Sequence, residues 1–129
     1  LASEPSPAQF RRALQQHFDQ PLPSSVQVYG YRMSRGMDSG RYEFAFSIGA
    51  SELSQFLSNS GWALVNSNGD TADWIAADLT MKRLTKGATT LEPPWSIYVF
   101  QTNHNVTRWT KTIVVGSNYT DAVFIGSFR

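Results

Sequence analysis

Apolar and polar residues alternate along one segment in the first half of the chain. Every second residue there is apolar or aromatic: Tyr42, Phe44, Phe46 and Ile48. A period of two is typical of a strand that turns one face to the core and the other to water. Residues 26–34 form another extended run, and the linker 35–40 contains glycines that permit the positive φ of hairpin loops. The pattern predicts a β-hairpin of 26–34 and 41–48.

The first helix is predicted from a capping signal followed by apolar residues at helical spacing. Ser6 can serve as the N-cap and Pro7 as the first helical residue. One face then carries Phe10, Ala13, Leu14, His17 and Phe18. Pro21 and Pro23 disfavour helical geometry in the residues before them. We therefore expect a helix over 7–18.

A second, shorter helix is expected after the hairpin. Ser51 is the expected N-cap, and Gly61 offers a left-handed exit at the end of the helix. The apolar stripe between them is Leu53, Phe56 and Leu57. Residues 62–65 then form either a brief strand or an extended cover.

Residues 71–86 allow two interpretations. Trp74, Ala77, Met81 and Leu84 recur at spacings of three and four. Acidic residues at the start of this segment and basic residues at its end suit the dipole of a helix. Ile75, Leu79 and the threonines fit an irregular loop with a short strand equally well. We predict the helix and keep the loop as the alternative.

The last third of the chain is strand-like. Residues 95–102, 106–115 and 119–128 are extended runs separated by short polar turns, which predicts a three-stranded meander. The full order of elements predicts an α+β fold with a mainly antiparallel sheet of about five strands and two or three helices. We expect a single compact domain over 7–129, preceded by a flexible tether of residues 1–6.

The composition of the chain argues against two classes of function, nucleic-acid binding and membrane spanning. The chain has 129 residues, no cysteine and a net charge of +1, so no charge field favours nucleic acid as a partner. No run approaches the ~18 apolar residues of a membrane-spanning helix, and we predict no transmembrane segment. Because the sequence starts at Leu1 without an initiator Met, we expect a processed or trimmed product.

Residues that could carry chemistry are few and scattered. His17 and His104 are the only histidines, and neither lies in a catalytic or metal-binding motif. His17 belongs to the apolar stripe of the first helix, where a packed or rim histidine is expected rather than a catalytic one. We predict no catalytic residue, no metal and no cofactor. Glycine patterns for phosphate binding are absent.

The predicted hairpin offers aromatic residues for binding. Tyr29, Tyr31 and Met33 alternate with Val28, Gly30 and Arg32. If the valines face the core, Tyr29 and Tyr31 belong to an outward stripe that could contact a partner or ligand. If a helix covers that stripe, it is a second core layer instead. Gly30 indicates either a bulge or the close approach of another backbone.

The strand 106–115 offers a second candidate. Arg108 and Trp109 point to opposite faces of a strand, so either could project as an anchor for a partner. The alternative is ordinary packing within the sheet, where aromatic cross-strand pairs are common.

The run from Leu22 to Val26, continued through Gly36 to Phe44, resembles the start of small uncharacterised bacterial secreted or lipoprotein domains. The resemblance implies a secreted or cell-envelope (periplasmic) location and assigns no functional residue. The absence of catalytic motifs favours a non-enzymatic domain that binds or inhibits a protein partner. The alternative is a small-molecule or glycan-binding module, or a hydrolase acting through carboxylates, with a cleft lined by Trp74, Trp95 or Trp109.

Overall fold

A computed structural model describes residues 6–18, 20–36, 40–66, 71–100, 110–118 and 120–128. The helices are α1 (Pro7–Gln15), α2 (Ala50–Asn59) and α3 (Thr71–Leu84). The strands are β1 (Gln27–Arg35), β2 (Gly40–Ser47), β3 (Trp62–Asn66), β4 (Ser96–Phe100), β5 (Thr110–Val115) and β6 (Asp121–Phe128). In this part of the chain no helix is both long and apolar enough to cross a membrane.

The six strands form one sheet in the order β1-β2-β6-β5-β4-β3, and every neighbouring pair is antiparallel. This arrangement confirms the predicted α+β fold, the first hairpin and the closing meander. The segment that could have been an extended cover is the strand β3, which pairs with β4. Hydrogen bonding therefore continues from one end of the sheet to the other, and β1 and β3 are its two outer strands.

Helices cover both faces of the sheet. On the face covered by α1 and α2, large side chains such as Phe44, Phe46 and Phe124 form the main core. We call this the aromatic face. The opposite face carries the smaller Ala45 and Val123, against which α3 packs; we call it the α3 face. The alternation in β2 and β6 thus separates bulky from small residues, and the small ones let α3 approach the sheet closely.

Helix α1 begins as predicted but ends earlier. Ser6 and Gln9 cap it reciprocally, each side chain bonding the other's backbone. The helix ends at Gln15, not at residue 18, because the following amides bond three residues back and tighten the last turn. The Gln15 side chain then ties the next loop, accepting from Leu22 N at 2.6 Å and donating to Gln20 O at 2.8 Å.

The predicted N-cap of α2 is wrong. The helix begins at Ala50 with Gly49 as N-cap, so Ser51 lies inside the first turn. Ser25, from the loop before β1, accepts a hydrogen bond from Gly49 N at 3.0 Å and donates to the Glu52 carboxylate. A distant side chain therefore binds at the helix start, which local sequence does not reveal. The predicted left-handed exit is present, with Gly61 at φ 83°.

Residues 71–84 form the predicted helix, and the irregular loop is not observed. The helix stops two residues before the expected end because Lys86 and Gly87 both have positive φ, at 55° and 83°. Gly87 N donates back to Lys82 O at 2.8 Å, which closes the end of α3.

Candidate functional site

The outer strand β1 leaves backbone groups unused by the sheet. Ile48 N donates to Thr120 O, so every second residue of β2 counted back from Ile48 hydrogen-bonds to β6 through its backbone. By antiparallel alternation, the intervening residues of β2 bond β1, and these include Glu43, the partner of Arg32. The N–H and C=O groups of Tyr31 and Met33 therefore point away from β2. We call the outward side of residues 31–35 the open edge; no strand in the described part of the chain pairs with it.

A bulge divides β1 just before the open edge. Val28 pairs with Phe46 and Gly30 with Ala45, so Tyr29 is the extra residue. An added Cβ on Gly30 would lie 2.9 Å from Leu84 O at the end of α3. Both interpretations of Gly30 are confirmed, because the same glycine lies at a bulge and beneath another backbone.

The bulge separates the tyrosines that a regular strand would place on one stripe. Tyr31 stacks on Phe44 with ring centroids 4.8 Å apart, so it is half-buried on the aromatic face. Tyr29 instead lies on the α3 face, and its hydroxyl donates to Asp121 Oδ1 at 2.9 Å. Burial raises the pKa of Tyr29 above its ordinary value, and the neighbouring Asp121 charge acts in the same direction.

Tyr29 lies between two cavities. One, of about 420 Å³, is lined by α1 residues such as Arg11 and by the start of β1. The other, of about 390 Å³, is lined by the C-terminal end of α3 and the following turn, including Lys86. Both have the size of small-ligand sites, which usually range from about 300 to 1,000 Å³.

Four large apolar side chains are exposed among the residues whose burial is described, and two of them belong to β1: Tyr29 at 38% and Met33 at 46%. The other two, Ile75 and Leu79, lie on α3. On β1 such exposure coincides with unused backbone groups, and this combination is the physical basis of strand pairing between proteins.

A charged cluster lies beside the open edge on the α3 face. Glu43 is 7% exposed and its carboxylate bonds Arg41 Nε at 2.7 Å and Arg83 at 3.2 Å. Thr80 donates to the same carboxylate at 3.3 Å. Arg32 is the cross-strand neighbour of Glu43, is exposed, and makes no ion pair within the described residues. The cluster joins α3 to the hairpin and leaves positive charge at the surface.

Sequence reasoning missed this cluster because Arg83 comes from α3, about forty positions from Glu43 along the chain. The sequence signal for the cluster was the pair Arg41 and Glu43, two residues apart and hence on one face of β2.

Of the other residues considered from the sequence, Arg108, Trp109 and His104 lie outside the described residues. Trp95 packs against the core of the α3 face and donates to Leu91 O at 3.0 Å.

His17 lies among aromatic rings on the aromatic face. Its ring centroid is 4.8 Å from that of Phe124 and 5.1 Å from that of Tyr42. Burial, with a smaller contribution from the positive charge of Lys111, lowers the pKa of His17 to about 4. The neutral imidazole is therefore a packing residue at neutral pH. Within the described residues, no group of three His, Cys, Asp or Glu side chains could hold a metal ion.

The arrangement at β1 is suited to recognition: an outer strand with free backbone groups, an exposed apolar side chain and adjoining positive charge. No protein-family model, no curated protein and no solved structure matches the chain.

Proposed function

We propose that this domain binds a partner protein by pairing an extended segment of the partner with the open edge of β1. The outward N–H and C=O groups of Tyr31 and Met33 carry this proposal. In such strand addition, main-chain hydrogen bonds provide affinity and the flanking side chains provide specificity. Binding of this kind requires no catalytic group, and an inhibitory role would follow if the captured segment belongs to an enzyme.

The open edge lacks a proline and a bulge, two of the features that block pairing. Outer strands are commonly protected by proline, by a bulge, by charged side chains or by a covering element. Here the bulge lies at Tyr29, near the start of β1, and residues 31–35 pair with β2 in a regular register. No proline occurs between residues 27 and 35. The second half of β1 is therefore regular enough to accept another strand.

A secreted or cell-envelope location is part of this proposal. The low charged fraction of 16%, against about 25% in typical soluble domains, supports it, as does the resemblance of the first hairpin region to bacterial secreted domains. Arg108 and Trp109 remain a proposed second contact.

The experiment is selection of a random peptide library on the immobilised domain, followed by affinity measurements on Met33→Pro and Met33→Thr. Proline removes the outward N–H of residue 33 and is tolerated where that N–H faces away from the sheet. Threonine removes the same side chain but keeps the N–H. We expect the selected peptides to lose binding to Met33→Pro and to retain most of it with Met33→Thr.

Hydrogen exchange on the wild-type complex provides the second readout. The amides of Tyr31 and Met33 are expected to exchange more slowly when peptide is bound, because they become hydrogen-bonded. Peptides that bind Met33→Pro as tightly as Met33→Thr would show that β1 is not the contact strand.

A small-molecule function is the second candidate, favoured by the two cavities on either side of Tyr29. Its test is a thermal-shift screen of metabolites and glycans on wild type and Tyr29→Ala. A ligand that stabilises the wild type but not the variant would support this function, and a flat screen would count against it.

A further inference from the structure

The two sides of the open edge differ in chemistry. On the α3 face, Arg32 extends from β1, and Arg41 and Arg83 lie beside it around Glu43. On the aromatic face, the exposed Met33 follows the half-buried Tyr31. A strand added beside residues 31–34 would therefore meet positive charge on one side and apolar surface on the other.

Within the described residues, no nearby acid cancels this positive charge. Glu43 is already bonded to two arginines, so the group of three arginines and one carboxylate carries a formal charge of about +2 at neutral pH. Asp121, the other described acid near this strand, bonds Tyr29 and Asn118 at the opposite end of β1. The edge is thus complementary to an acidic segment.

The period of two in strands converts this difference into a sequence rule. Successive side chains of an added strand point to opposite faces of the sheet. Side chains directly opposite each other in an antiparallel pair lie about 4.5–5.5 Å apart at Cβ, close enough for charge pairing. We propose, on the basis of the proposed strand pairing, that the partner segment is an extended stretch in which acidic and apolar residues alternate, with the acidic residues beside Arg32.

The probe is a fluorescein-labelled peptide in which glutamate alternates with valine, measured by fluorescence anisotropy at low and high salt. Two matched peptides replace every glutamate with glutamine or with lysine. Because an exposed charge pair contributes about 0.2–1 kcal/mol and Arg32 offers one such pair, we expect roughly two- to fivefold tighter binding of the glutamate peptide than of the glutamine peptide at low salt. This preference should weaken at high salt, which screens surface charges.

Charge reversal identifies the residue responsible. We expect Arg32→Glu to weaken the glutamate peptide and strengthen the lysine peptide. Arg12→Glu is the matched control, because Arg12 is exposed on α1 and its reversal changes the net charge equally. The control should move both affinities by less than about twofold, the size of a long-range effect screened by salt. Thermal melts of both variants establish that the fold is intact.

The outcomes separate the two proposals. If the glutamate and glutamine peptides bind equally, and Met33→Pro abolishes both, the edge pairs with strands but the acidic preference is wrong. If Arg32→Glu and Arg12→Glu have equal effects, the preference does not arise at β1. If the library yields peptides but no alternating probe binds, the alternation rule is wrong, whereas an edge that binds neither probe nor library peptide contradicts the proposed function itself.

Discussion

Gly30 lies against Leu84 at the end of α3, and replacing it with alanine tests that packing directly. The new Cβ would lie 2.9 Å from Leu84 O and 3.1 Å from Leu84 Cβ. The nearest atom belongs to the backbone, so no side-chain rotation relieves the overlap. The end of α3 would have to move away by about 0.5 Å to reach an ordinary contact distance.

The expected cost follows from two opposing effects. Overpacking a close contact destabilises by about 1–3 kcal/mol, while the loss of glycine's freedom in the unfolded chain returns about 0.4–1 kcal/mol. We expect Gly30→Ala to lower the free energy of unfolding by about 1–2 kcal/mol. Urea unfolding followed by far-ultraviolet circular dichroism measures this change, provided the dependence on urea concentration stays constant.

Gly116→Ala is the matched control. A Cβ there would meet its nearest atoms, including Asn118 Oδ1 and Glu92 N, at 3.5 Å, which is ordinary contact. We expect this variant to be neutral or slightly stabilised, within about 1 kcal/mol of wild type. Equal stability of both alanine variants would refute the reasoning, because it would mean that α3 does not rest on Gly30.

Three further predictions concern buried groups. The pKa of His17 is lowered from 6.5 to about 4, so between these pH values the unfolded chain binds a proton that the folded chain does not. The free energy of unfolding therefore has its full value above pH 6.5 and falls by about 1–2 kcal/mol, after allowing for solvent screening, as the pH drops toward 4. Denaturant unfolding of His17→Phe, measured across this pH range, should lack that decrease. Phe124 is fully buried, so calorimetry of Phe124→Ala should show a loss of about 3–5 kcal/mol; a loss below about 1 kcal/mol would contradict its place in the core. Glu43→Gln keeps the shape but weakens the bonds to Arg41 and Arg83, so denaturant unfolding should show a loss of about 1–2 kcal/mol, and no loss would mean that the cluster contributes nothing.

Regular alternation made the strands predictable from sequence. In β2 the period of two continues without interruption, so the aromatic side of the hairpin follows directly from residues 42–48. The closing meander was predictable for a related reason, since short polar turns separate extended runs and favour antiparallel neighbours. Helix α3 was recognisable from the spacing of Ala77 and Met81, both fully buried against the sheet.

The details that shape the open edge depend on distant parts of the chain. A regular strand would place Tyr29 and Tyr31 on one face, and only the bulge separates them. The surroundings of that bulge depend on Leu84, which approaches Gly30 from the end of α3. The N-cap of α2 was missed for the same reason, since Ser25 reaches the helix start from another loop. Periodicity describes local structure and does not reveal such contacts.

Gly30 links the fold to the proposed binding edge. Because it carries no side chain, the end of α3 can rest on β1, with Arg83 one residue before Leu84 and bonded to Glu43. This contact between Gly30 and the end of α3 lies in the bulged half of β1, while residues 31–35 continue in regular register with β2. The two halves of β1 therefore differ: the bulged half supports α3, and the regular half carries free backbone groups beside positive charge. It follows that Gly30→Ala should weaken binding of the glutamate peptide more than that of the glutamine peptide, because it displaces Arg83 but leaves the backbone of the open edge intact.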